Sequence, residues 1–168
     1  NYNYSYSQAI YTSDEFESSG SISALASTYA HNPSETITST IYMGVVSRNS
    51  FEEDYSFVPL DSLTQVYSGS VTFSYGWTTI ILDTPFEYNG EGNLVIAYMN
   101  TTGSCSDNRS YFSTASVEAK TIYFRRDNAI IDPTTLTEND IIPSWKRPDI
   151  QLTITPQAGF CLTENDII

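Results

Sequence analysis

Residues 93–99, Asn-Leu-Val-Ile-Ala-Tyr-Met, constrain the fold more than any other stretch of the chain. Leu94, Ile96 and Tyr98 alternate with Val95, Ala97 and Met99. A strand here is therefore apolar on both faces and belongs at the centre of a packed sheet. Upstream, residues 77–83 are rich in β-branched side chains, with Ile80 and Leu82 on one face and Thr79 and Ile81 on the other. Between the two runs Pro85 removes a ladder donor, and Asn89-Gly90 with Glu91-Gly92 tolerates positive φ. The stretch 76–102 thus predicts two core strands and a turn between them, with no free face for a ligand. Trp77, which opens the first strand, is expected to be buried packing.

The pattern GW-x-TI-x-LDTPF-x-YNG-x-x-NLVIA, followed by Asn-Thr-Thr-Gly, resembles a β-sandwich module of secreted and surface multidomain proteins of Bacteroidota, often found before fibronectin type III repeats and a C-terminal sorting domain. Other segments match it in order: Tyr4-Ser5-Tyr6-Ser7-Gln8, Gly20-Ser21-Ile22-Ser23, Ile41-Tyr42-Met43-Gly44, Phe57-Val58-Pro59-Leu60 and Arg147-Pro148-Asp149-Ile150-Gln151-Leu152. The resemblance spans roughly residues 4–155 and implies an extracellular or cell-surface jelly-roll-like antiparallel β-sandwich, without assigning an activity. It sets the expected domain at residues 1–155, with 156–168 as a linker or tail toward a following domain or a neighbouring subunit.

The rest of the chain agrees with an all-β domain of about eight to ten short strands. Tyr2 to Ser7 alternates aromatic and polar, which reads as an edge strand whose tyrosines cover the sandwich. Further strands are expected at 21–29 (Ile22, Ala24 and Ala26 alternating), 36–46, 63–73 and 149–155. Residues 111–116 and 120–126 read as a strand pair. Residues 47–61 and 127–143 are long irregular connections, of the kind that is either functional or family-specific decoration. The heptapeptide Leu136-Thr137-Glu138-Asn139-Asp140-Ile141-Ile142 recurs as Leu162–Ile168. That tail suggests self-association, by pairing with a neighbouring subunit's sheet edge.

Charge narrows the partners. Seven Lys plus Arg against twenty Asp plus Glu give a formal net charge of −13. Such a surface repels phosphate backbones and anionic lipid, so neither nucleic acid nor a membrane is an expected partner. No apolar run approaches the ~20 residues of a membrane span. Ser, Thr, Tyr and Asn carry the polarity that Lys and Glu carry in cytosolic proteins, which fits an extracellular setting. Cys105 and Cys161 lack zinc spacing and leave a single disulfide open.

No phosphate loop, HExxH or nucleophile elbow is present, and the lone histidine, His31, sits in an expected solvent-exposed turn. Asp83 and Glu87 are the nearest approach to a glycosidase-like acid pair, although Asp83 reads better as a turn former. The expectation is a non-catalytic module recognising glycan or extracellular protein, with a structural subunit or spacer as the alternative. Binding is assigned to loop aromatics and a cation: Tyr55, Phe57, Trp145 and Arg147. Calcium is the one cofactor suggested, on Glu52, Glu53, Asp54, Asp127 and Asp132, because hard cations gather several loop oxygens.

Overall fold

Period-2 alternation of apolar and hydroxylated residues writes most of this chain as strands. The computed structural model describes residues 2–16, 19–104 and 113–156. Within them run β1 (Tyr4–Tyr11), β2 (Gly20–Tyr29), β3 (Glu35–Val46), β4 (Thr64–Phe73), β5 (Gly76–Tyr88) and β6 (Asn93–Asn100), followed by β7 (Ser113–Ala115), β8 (Thr121–Arg126), β9 (Ile142–Ser144), β10 (Lys146–Pro148) and β11 (Ile150–Pro156). The helical elements among the described residues are short 3-10 turns.

The first six strands pair as one long nested ribbon. β3 lies against β4, β2 against β5 and β1 against β6, all antiparallel. Rolling that ribbon brings β6 beside β3 and lets β11 close beside β2. The result is a six-stranded sheet, β4-β3-β6-β1-β8-β9, packed on a three-stranded sheet, β11-β2-β5, with β7 and β10 paired separately. This is an all-β, jelly-roll-like antiparallel sandwich: the alternation predicts its strands, and the jelly-roll form is what the resemblance implies.

Two apolar layers hold it. Between the sheets lie Ile22 and Leu25 of β2, Ile41 and Met43 of β3, Ile80 and Leu82 of β5, and Leu94 and Ile96 of β6. On the outer face of the six-stranded sheet, Tyr6, Ile10, Val95, Ala97 and Ile122 are covered by Phe51, Val58 and Ile131 from the long connections. Both faces of β6 are therefore buried, and it sits centrally between β3 and β1.

Several details differ from the sequence expectation, each for a local reason. β5 and β6 belong to different sheets, so the link between them crosses the sandwich edge. Gly92 (φ +76°) suits that crossing, since a Cβ there would approach the Val46 carbonyl oxygen to 3.1 Å. β5 continues past Pro85 to Tyr88 because the proline falls in a register break between the Ile81 and Phe86 pairs, at a strand on the edge of its sheet. Trp77 is not buried: it and Ile81 point outward from β5 and are 48% and 70% exposed. A bulge between Ile22 and Ala24 turns Ala24 to the opposite face from Ile22. β1 is not an edge, because β8 returns to pair with it and Tyr6 becomes fully buried. β7 pairs with β10 rather than with β8. The tail from residue 157, the second LTENDII copy and both cysteines lie outside the described residues.

Replacing Leu94 or Ile96 by Ala is expected to cost roughly 2–5 kcal/mol, as large-to-small changes in a packed core do. Replacing Ile81 by Ala should cost under about 0.5 kcal/mol, since that side chain is mostly solvated. Chemical-denaturation midpoints of the three variants check the assignment of faces.

Candidate functional site

The two long connections do not hang free at one end of the sandwich; they fold back over the outer face of the six-stranded sheet. A loop laid on an apolar surface must satisfy its own backbone groups. Gln8, fully buried on the face that carries Tyr6 and Ile10, does this for residues 47–63. Its Nε2 donates to the Val58 carbonyl at 2.8 Å and to the Tyr6 hydroxyl at 2.9 Å, while its Oε1 accepts from the Val58 amide at 2.7 Å. Burial pushes the Tyr6 hydroxyl up to about 12, against the opposing pull of the Gln8 hydrogen bond. Elsewhere in the loop the Arg48 guanidinium stacks over Phe51 at 4.6 Å and donates to the carbonyls of Asp54 and Ser56. The Phe51 amide donates to Ala119.

The second connection is fixed by its own caps. Asp132 accepts from the Thr134 hydroxyl and amide, which hold its carboxyl below the usual range. Asp140 accepts from the Thr137 amide and hydroxyl with the same effect. Leu136 and Ile141 pack onto the outer apolar layer. Between the two connections lies a groove of about 710 Å³. One wall is the run from Ser56 to Asp61; the other carries Pro133, Thr134, Leu136, Thr137, Glu138, Asn139 and Ile141. Its polar lining is hydroxyls, one amide and the carboxylates of Asp61 and Glu138; among the described residues no Lys, Arg or His contributes. Chemically it can accept and donate hydrogen bonds to a neutral or cationic ligand, with Phe57, Leu60 and Leu136 as apolar contact surface.

The residues expected to bind are only partly gathered here. Phe57 lines the groove but leans on the Tyr6 ring at 4.8 Å, so it is as much packing as wall. Tyr55, next to the groove residue Ser56, is 39% exposed. Trp145 is 47% exposed and its Nε1 donates to Glu52 at 3.2 Å, away from the groove lining. Arg147 is committed elsewhere: it pairs with Glu15, donates to the Ile10 carbonyl at 2.9 Å and stacks over Tyr11 at 4.4 Å. It closes the flank of the sandwich and is not available as an exposed binding cation.

The five calcium candidates are not brought together. Glu52 accepts from the Ala119 amide and Trp145, Asp54 from the Ser56 hydroxyl, Asp127 from the Asn3 amide and Asp132 from Thr134, while Glu53 is exposed. Among the described residues no three His, Cys, Asp or Glu side chains converge as metal ligands. Asp83 reaches the Ser68 amide on β4 and Glu87 the Ser21 hydroxyl on β2, on opposite sides of β5. His31 is half-buried, edge-on to Tyr29 at 6.5 Å, and not freely solvated. Sequence reasoning overlooked Gln8, although a Gln in register with Tyr6 and Ile10 on an apolar face is itself a sign that a buried amide needs partners. Comparisons with protein-family models, with curated proteins and with solved structures each give no match.

Gln8→Leu should keep the volume but strand the Val58 amide and carbonyl, at about 1–3 kcal/mol for each group left unpaired. Faster hydrogen exchange at Val58, with the β6 amides still protected, is the expected signature. A second outcome concerns Glu15. Burial alone would raise its carboxyl, but hydrogen bonds from Arg147 and Thr12 and the guanidinium charge outweigh that and hold it at about 2, against an ordinary 4.5. The folded-state value is depressed, so the stabilisation is complete above about pH 4.5 and is lost as pH falls toward 2. Stability measured against pH should therefore fall less steeply across that window in Glu15→Gln than in the parent chain.

Proposed function

We propose that this chain is a non-catalytic, extracellular binding domain that recognises a neutral glycan in the groove between residues 56–61 and 133–141. The observation that carries the reading is the groove's lining: the Ser56, Thr134 and Thr137 hydroxyls, whose protons go to Asp54, Asp132 and Asp140, offer acceptor oxygens, Asn139 offers an amide and Phe57 an aromatic surface, and the charges among the described lining residues are negative. Sugars present alternating hydroxyl and C–H faces, which such a lining matches. Acidic glycans would meet Asp61 and Glu138 in a chain of net charge −13 and be repelled. Tyr55, adjacent in the chain to the groove residue Ser56, is a further stacking surface.

Screening the chain against neutral and acidic glycans tests this. Retention of neutral members only, weakened about tenfold by Asn139→Ala with an unchanged melting midpoint, is the expected result. Retention of no glycan, or binding indifferent to Asn139→Ala and Glu138→Gln alike, overturns it.

The alternative, a structural subunit or spacer, is favoured by one observation. The outward stripe of β5 exposes Trp77 and Ile81 on a charge-free stretch of strand. Sedimentation velocity separates the readings. Concentration-dependent assembly that Trp77→Thr with Ile81→Thr removes supports the structural one, and a monomer at all concentrations removes it.

A further inference from the structure

A sandwich interior is normally filled to crystal-like density by large apolar side chains. Here the filling changes along the sheet. The cross-strand row Ala9, Ile96 and Met43 is apolar. The next row toward the opposite end is Ser7, Tyr98 and Ile41, and the one after it is Ser5, Asn100 and Ser39. Ser27 of β2 faces them from the other sheet, and the space left between is a partly enclosed cavity of about 220 Å³. Ser27 and Ser39 are more than nine-tenths buried, at 5% and 6% exposure. The hydroxyls of Ser5, Ser7, Ser27 and Ser39 have no hydrogen-bond partner among the described residues. The Asn100 amide oxygen, by contrast, is taken by the Thr102 amide and hydroxyl at 3.0 and 2.6 Å.

The cavity is only partly enclosed, so these hydroxyls are open to whatever enters it, while small serines in a core forgo apolar packing. A hydroxylated ligand that fills the space pairs with the hydroxyls and restores the packing contact. We propose that this inter-sheet cavity is a second binding site, distinct from the loop groove, for a single neutral sugar residue. Size sets the limit: the cavity is smaller than the about 300–1,000 Å³ of pockets that take drug-sized ligands, so one ring enters and a chain does not. Charge sets the class, because among the described residues no Asp, Glu, Lys, Arg or His lines it. Composition sets the pose: the four serines meet sugar hydroxyls, while Ile37, Phe73 and Pro148 present apolar surface to the C–H face.

Saturation-transfer NMR of the full chain with free glucose, galactose, mannose and N-acetylglucosamine tests the site. The expected result is transfer to at least one of these sugars, retained in Asn139→Ala and weakened about tenfold or more in Ser39→Val, which removes a hydroxyl and fills the space with methyls. If circular dichroism shows Ser39→Val unfolded, Ser39→Ala removes the hydroxyl without adding volume and should weaken transfer in the same direction. No transfer to any of the four sugars means that the cavity holds water alone, and the proposal fails. Transfer that survives the Ser39 variants but is lost in Asn139→Ala places the sugar in the loop groove, and the proposal fails there too while the groove reading stands.

Discussion

The fit of the first long connection on the outer face of the six-stranded sheet depends on the Gln8 side chain. A central strand such as β6 can be apolar on both faces only if something covers each of them. The second sheet covers one; loops cover the other, and loops bring peptide groups that cannot be buried unpaired. The Gln8 amide donates and accepts as a peptide does, so at Val58 it acts as one residue's worth of neighbouring strand. With Val58 anchored, Phe57 settles on Tyr6, and the run from Ser56 to Asp61 becomes a fixed wall. The groove is therefore a product of core packing. Its opposite wall rests on Leu136 and Ile141 in the same apolar layer.

The strands were legible in the sequence because their signal is local. Alternation located β2, β3, β4 and β11 to within a residue or two, and the two-faced run at Leu94 to Met99 marked the central strand. What was not legible depends on partners distant in sequence. Nothing around Trp77 distinguishes an inward from an outward side chain, because that depends on which sheet β5 joins. The tyrosine alternation of β1 has the same appearance at an edge and in the interior; only the return of β8 decides it. Arg147 looked like a binding cation beside Trp145, yet Glu15, which captures it, is 132 residues away in the chain. The long connections are where the sequence places a candidate site, and Phe57 lines the groove between them. The residues of the opposite wall, Thr134 to Asn139, overlap the recurring heptapeptide 136–142, but that repeat carries no periodicity that would mark a wall.

The distribution of cations explains much of the surface character. Seven Lys and Arg must serve a chain with twenty acids, and the four arginines among the described residues are used as struts. Arg48 ties two carbonyls of its own loop, Arg126 does the same for Ala129 and Ile130, Arg125 stacks over Tyr2 and Tyr123, and Arg147 closes the flank. A planar guanidinium with several fixed donors suits these tasks better than an ammonium would. The consequence is a surface whose acids are largely unopposed by cations, which disfavours anions on it before any particular contact is considered.

The interior shows how such a domain can hold a cavity and still fold. Each serine on the inner face forgoes about 1.5–3 kcal/mol relative to a fully buried Leu or Ile. Spread evenly through the core, several such losses would rival the whole net stability of a domain of this kind, about 5–15 kcal/mol. Here they are confined to one end, beyond the row of Ala9, Ile96 and Met43. The apolar rows at the other end, and the separate layer beneath the loops, carry the fold without them. The two-layer construction of the six-stranded sheet thus separates the residues that hold the sandwich together from those that line the groove and the cavity. The same sheet can then border a polar cavity on its inner face and a groove on its outer one, because neither interrupts the ladder or the Leu94–Ile96 core between them.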